Sequence, residues 1–379
     1  MIDPGVSPRR SKGLRLGVDL TACWRDRIGM VTFALGITEG LLEVDPDLSM
    51  VLFCSRERPP ALRVPAQDER RVGALVSTLR HEVPQKLWWL PGAETEAEVD
   101  AMLYPYWPPP PRRRPGAPPA VTVIHDLAFR VRPDEVPWQQ RLYLGSLLPP
   151  AVRQAAALLC PSEATRADLL DTFPAAGLEQ RVTVVPEGPG IQPGEAASPL
   201  PAGLEPPFLL SVGTIEPRKN LPRLLRAIRR LRRSRPVPPL VIAGRAGWAY
   251  GTTLDLLRAD PGVCLLGHVD DATLATLYRS ATALCFPSLY EGFGLPLLEA
   301  MAAGLPALVG NQGSLPELAG GAALEVDPTD VGSIAQGLAT LLDDEGLRTR
   351  LISAGRQRAS GFTWAAAATR TLEVIHGVL

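Results

Sequence analysis

The chain has 379 residues, too many for one ordinary domain, and its 46% hydrophobic content is enough for sizeable cores. The formal charge of −1 leaves no global field to recruit nucleic acid or an anionic membrane. No run of about 18 apolar residues marks a transmembrane helix.

The opening stretch MIDPGVSPRRSKG lacks an apolar signal segment and reads as a loose tail over 1–13. Beyond it, short apolar runs alternate with helical patterns, which predicts α/β architecture with parallel sheets. In the first half, strands are expected at 14–18, 49–54, 120–124, 157–160 and 182–185. Helices are expected near 30–44, 138–156 and 162–172, the last capped by Ser162. The stretch YPYWPPPPRRRPGAPP (104–119) cannot be helix. It is expected to be an exposed, semi-rigid polyproline II loop, with a lid or acceptor-side element as the alternative. Pro and Gly crowd residues 186–207, which places the inter-domain linker there. Strand-like runs then resume at 208–212, 240–244, 263–267, 283–287 and 306–310. The helix over 221–233 carries Leu221, Leu224, Leu225, Ile228 and Leu231 on one face, with its arginines elsewhere. Those arginines read as a solvated basic face rather than a membrane or nucleic-acid patch. The two halves look like two copies of one architecture.

Five cysteines (23, 54, 160, 264, 285) lie scattered without metal spacing and read as buried free thiols of a reducing cytoplasm. Of the 39 basic residues only Lys12, Lys86 and Lys219 are lysine. A lysine inside an ordered motif is therefore unusual in this chain.

In doubly wound sheets ligands sit at the carboxyl ends of strands, so the informative residues follow each strand. After 208–212 comes GTIEPRKNLPRLL. Gly213 permits a tight exit, Asn220 is suited to cap the next helix, and Arg218 and Lys219 stand before a helix N-terminus. Two cations beside free N–H groups suit phosphate, with plain surface charge as the alternative. After 283–287 comes LYEGFGLPLLEAMAAG. Glu291 sits in the loop, Gly292 and Gly294 bare the backbone, and Glu299 lies in the helix that Gly304 ends. Two carboxylates and bare amides suit sugar and ribose hydroxyls, although a dipole-favoured helix acid would account for Glu299 alone. Ser314 with Glu317 reads as a structural capping box. His125, at the end of 120–124, can donate to an oxygen in the cleft or serve as a core or capping histidine. Gly29 opens a helix and weakly suggests phosphate proximity. No dinucleotide-binding or P-loop glycine fingerprint is present, and no histidine cluster suggests a metal.

The stretches SVGTIEPRKNLPRLLRA, VIAGRAGW, LGHVDDATLATLYRSATALCFPSLYEGFGLPLLEAMAAGLPALVGNQGSLPEL and FTWAAAATRTLEVI closely resemble glycosyltransferase family 4, the group 1 family of retaining GT-B enzymes. The resemblance is dense over 208–375 and sparser in the first half, where VTVIHDLAF and PSEATRADLL look like its mannosyltransferase branch. It implies two Rossmann-like doubly wound domains facing across a cleft: an acceptor-side domain over 14–200, a nucleotide-sugar domain over 205–361, and a final helix, 362–379, crossing back to the first. It implies a catalytic set of His125, Arg218, Lys219 and Glu291. Arg218 and Lys219 would bind the nucleotide diphosphate, Glu299 the ribose, and Glu291 the donor sugar with the amides of Gly292, Phe293 and Gly294. His125 would wall the transferring sugar, His268 and Val269 would lie near the base, and Gly29 and Gly213 near the donor. The run Ile28-Gly29-Met30 lacks the aromatic that relatives carry after this glycine, and PEGPG at 186–190 replaces their usual N-G-V-D.

The expected activity is metal-independent, retaining transfer of a hexose from a nucleotide diphosphate sugar, GDP-mannose or a UDP-hexose first, to a glycan or lipid-linked glycan. No cofactor is expected, and membrane contact is peripheral at most. Alternatives are a nucleotide-sugar epimerase or hydrolase, and a non-catalytic nucleotide-sugar-binding protein.

Overall fold

Apolar runs without polar alternation make strands buried on both faces, as in parallel sheets covered by helices. In the computed structural model, the described residues are 13–23, 29–55, 58–59, 61–77, 79, 85–106, 108–191, 198–247 and 251–379. The expected tail over 1–13 lies, but for Gly13, outside them.

The first unit runs to Leu127, resumes over Leu142–Gly190 and ends with Thr363–Leu379. Its strands are β1 (Arg15–Asp19), β2 (Ser49–Cys54), β3 (Val72–Val76), β4 (Ala101–Tyr104), β5 (Ala120–Val123), β6 (Ala157–Cys160) and β7 (Val182–Val184). They pair in parallel in the order β3-β2-β1-β4-β5-β6-β7, with Leu16 opposite both Met50 and Ala101. Helix α1 (Gly29–Val44) packs Phe33, Ile37 and Leu41 into a core that also takes Ala367, Ala368 and Ile375 from the last helix, Trp364–Gly377. Two glycines on α1 make that contact. A Cβ at Gly36 would stand 2.2 Å from Trp364 Cε2, and one at Gly40 would stand 2.6 Å from Trp364 O.

The second unit comprises Ala128–Arg141 and Ile191–Phe362. Its strands β8 (Leu209–Val212), β9 (Leu240–Ala243), β10 (Val263–Gly267), β11 (Ala283–Phe286), β12 (Ala307–Gly310) and β13 (Leu324–Val326) lie in the order β10-β9-β8-β11-β12-β13. Helix α2 (Leu221–Arg232) buries Leu221, Leu224, Leu225 and Ile228. On its other face, Arg229 and Arg232 pair with Asp260 at 2.6 and 2.8 Å. Both sheets reverse their strand order once, between β1 and β4 and between β8 and β11, and ligands of doubly wound sheets sit at such switch points.

Several expectations are corrected. The loop 104–119 is exposed only in its second half: residues 104–106 and 108–110 are buried, while 112 and 114–116 are exposed. Four successive prolines bring no N–H to satisfy, so burial leaves only carbonyls to partner. Pro105 O meets His125 Nε2 at 2.8 Å, and Pro111 O accepts from Gln154 Nε2 at 2.8 Å. Arg113 is drawn inward by the buried Glu94 carboxylate at 3.1 Å. Trp88 is 68% exposed, while its neighbour Trp89 packs on Phe53. Cysteines 23, 54, 160 and 285 are buried free thiols, but Cys264 is only half-buried. The units divide between Gly190 and Ile191, with 128–141 counted in the second. Within the expected linker, Glu187, Gly188 and Pro189 are buried in the first unit.

Candidate active site

The loops after β8 and β11 flank the switch point of the second sheet. Gly213 leaves β8 at φ +130°, and a Cβ there would stand 3.1 Å from Lys219 Cε, so glycine makes room for the lysine stem. A single 3-10 turn, Pro217–Lys219, follows. Asn220 then adopts a left-handed conformation (φ 60°) and does not cap α2. Its side chain donates instead to Pro287 O at 3.0 Å and Pro328 O at 2.6 Å, because those carbonyls at the sheet end need donors. Leu289 N donates to Arg218 O at 2.8 Å, which ties the two loops together.

This frame brings Arg218, Lys219 and Glu291 into contact. Arg218 Nη1 donates to Glu291 Oε2 at 2.9 Å, and Lys219 Nζ donates to Oε1 at 2.7 Å. Lys219 also lies over the Phe286 ring, 4.7 Å from its centroid. A fourth member was not foreseen: Glu216, 3% exposed, accepts from Arg218 Nε. An acid two residues before the Arg-Lys pair was the available signal. With all four ionised the cluster is neutral. Burial pushes the Glu291 carboxyl up, but Lys219 and Arg218 together outweigh it and hold the group below the usual carboxylate range. Glu216 goes the other way: burial dominates, and Arg218 and Lys219 do not fully offset it, so its carboxyl is raised. Of the three lysines, Lys86 and Lys219 are described: Lys86 sits in a buried ion pair with Asp19, and Lys219 in a partly buried one with Glu291.

Helix α3 (Leu295–Ala303) starts at Gly294, in a left-handed conformation (φ 111°) with no side-chain cap; in its first turn Pro296 has no N–H and Leu297 N donates to Gly294 O at 2.9 Å. A Cβ at Gly294 would also stand 2.8 Å from Leu315 Cδ2. Gly304 ends α3 in the left-handed conformation, as the sequence suggests. Glu299 is 9% exposed and accepts from Tyr278 Oη at 2.7 Å. Ser314 makes no cap for the short helix Leu315–Ala319. Its hydroxyl lies 2.9 Å from Glu291 O and 2.8 Å from Phe293 O, so it braces the loop that carries Gly292 and Phe293. Arg132 braces the same loop, donating to Leu289 O at 3.2 Å and to Gln312. His268 is exposed after β10, and Val269 packs against the core of the second unit.

Gly29 and His125 belong to the first unit. Gly29 is exposed and opens α1, while residues 24–28 before it, including Ile28, lie outside the described residues. His125 Nε2 meets Pro105 O at 2.8 Å. Among the described residues, no group of three or more His, Cys, Asp or Glu is arranged to hold a metal, and no helix is long and apolar enough to cross a membrane.

Residues 195–358 match the model of the family described as glycosyl transferases group 1. The O-antigen chain mannosyltransferase B of Escherichia coli is 32% identical over 262 residues, covering 67% of this chain and 69% of its own. The MMP alpha-(1->4)-mannosyltransferase of Mycolicibacterium hassiacum is 35% identical over 234 residues, covering 59% of this chain and 54% of its own. Among solved structures, the sucrose-phosphate synthase of Thermosynechococcus elongatus superposes with a TM-score of 0.73 at 18% identity, covering 97% of this chain and 99% of that one. This last likeness is one of fold: two parallel-sheet Rossmann-like domains of the GT-B type.

Proposed function

The chain belongs to the glycosyl transferases group 1 family and is a glycosyltransferase, and from that premise we propose that it moves a hexose from a nucleotide diphosphate sugar to an acceptor hydroxyl, retaining anomeric configuration without a metal, as in family 4. One observation carries the reading: Arg218 and Lys219 converge on a single buried carboxylate at the switch point of the second sheet. That carboxylate stands as the anion where diphosphate oxygens would be received. As the glycosidic bond breaks, charge develops on the β-phosphate. Two cations fixed by Glu216, Phe286 and the inter-loop hydrogen bonds are already oriented to receive it. The positive end of the α3 dipole extends the same anion-favouring field. Glu291, released from one or both cations by the incoming phosphate, then accepts from sugar hydroxyls, and Glu299 from the ribose.

The relatives named as mannosyltransferases make GDP-mannose the first donor to test and a glycan, free or lipid-linked, the first acceptor class. Losing one charge-assisted contact to the developing oxyanion costs about 2–4 kcal/mol of barrier. Lys219→Ala is therefore expected to slow transfer at least roughly tenfold while far-UV circular dichroism is unchanged. Near-normal transfer in that variant removes Lys219 from the diphosphate site. Donor isomerised or hydrolysed at the transfer rate with no acceptor present replaces the reading by an epimerase or hydrolase.

A further inference from the structure

The segment PEGPG, where the sequence departs from its relatives, has no part in the reading above. Its glutamate, Glu187, is 4% exposed in the first unit. Facing it is His125, whose Nδ1 lies 3.6 Å from Glu187 Oε1. The other ring nitrogen, Nε2, stands 2.8 Å from Pro105 O. A carbonyl only accepts, so Nε2 carries a proton and Nδ1 is the atom turned to the carboxylate. Flipping the ring would put carbons at both places and lose both polar contacts.

The ring is also held from its edge. Phe33 meets it at 5.0 Å with an interplanar angle of 82°, and Phe33 in turn meets Trp364 at 5.7 Å and 76°. Trp364 Nε1 donates to Pro189 O at 3.0 Å, two residues past Glu187. Gly188, between them, admits the tryptophan: a Cβ there would stand 2.7 Å from Trp364 N and 2.8 Å from Trp364 Cγ. The circuit closes from His125 through Phe33, Trp364 and Pro189 to Glu187 and back to His125. Its members come from four places in the chain, and each fixes the next.

We propose that Glu187 is the positioning residue of His125, setting the imidazole's orientation and supplying the acceptor for any proton placed on Nδ1. The functional consequence rests on the reading above, in which His125 walls the transferring sugar. Misplacing a group beside the reacting centre by a fraction of an ångström costs turnover more than binding.

The test is a double-mutant cycle read by kinetics and by ring ¹⁵N NMR. His125 is one of four histidines, so a His125→Ala spectrum assigns its signals. Glu187→Gln is expected to move those signals, leave the signals of His268 and His376 in place, and lower kcat roughly tenfold with donor KM within about twofold. Glu187→Asp should recover part of the loss. Adding Glu187→Gln to His125→Ala should cost nothing more. Unmoved His125 signals, or the same loss with and without His125, overturn the proposal. If His125→Ala transfers normally while Glu187→Gln still moves the ring signals, the positioning stands and the assigned role of His125 in transfer falls.

Discussion

At the scale of single residues, Glu291 occupies both Arg218 and Lys219, the two cations proposed to receive a diphosphate. Glu291→Gln should therefore act in opposite directions on binding and on transfer. A neutral amide releases Arg218 and Lys219, so free nucleoside diphosphate binds a few-fold tighter, while transfer falls by roughly a hundredfold. Isothermal titration checks the first half, and weaker binding would show that Glu291 supports the phosphate rather than competes with it. The same cluster gives stability a signed pH dependence. The folded value of Glu291 lies below that of the unfolded chain. Its contribution is therefore complete above the ordinary glutamate value and is lost as pH falls through the folded one. Glu216 is raised, so its ionisation favours the unfolded chain, and it draws stability down as pH climbs from the ordinary value through its own. Glu291→Gln should flatten the acid limb of the unfolding midpoint against pH. The placement of Arg218, Lys219 and Glu291 in loops at strand ends was legible from the apolar runs that precede them and the glycine turns nearby. Their mutual pairing was not legible, because nothing in the spacing of 218 and 291 says that the loops after β8 and β11 touch. Ser314 and Asn220 were misread for a related reason: local capping patterns ignore carbonyls that arrive from elsewhere in the chain.

At the scale of elements, runs such as SMVLFC and ALCF announced themselves as strands because buried parallel strands are apolar throughout. Strands β3, β4 and β13 did not, being flanked by charged or helical sequence. The first half of the proline-rich loop was misjudged because composition suggested exposure, whereas the lack of N–H groups is what lets it be buried. The last helix meets the first unit through Gly36, Gly40 and Gly188, each lying against Trp364. Backbone on one side and a fixed indole on the other leave no space for a methyl group. Gly188→Ala is expected to destabilise the first unit by about 1–3 kcal/mol. Urea denaturation should show the transition of the first unit shifting while nucleotide binding by the second is retained. An unshifted curve would mean that Trp364 moves aside freely.

At the scale of the whole molecule, each unit has its own hydrophobic core, and the first is assembled from three separated stretches of chain. Removing 363–379 takes Trp364, Ala367, Ala368 and Ile375 out of that core and none from the cores of the second unit. The truncated chain is expected to lose the cooperative unfolding of the first unit and still give a thermal shift with nucleoside diphosphate. Loss of both would show that the second unit depends on the first for its fold.

The discontinuity also has a temporal side. A growing polypeptide contains every segment of the second unit once Phe362 is made, while the first unit still lacks its closing helix. The first unit is thus completed after the second, and its apolar surface around Phe33 and Ile37 stays uncovered until 363–379 have followed.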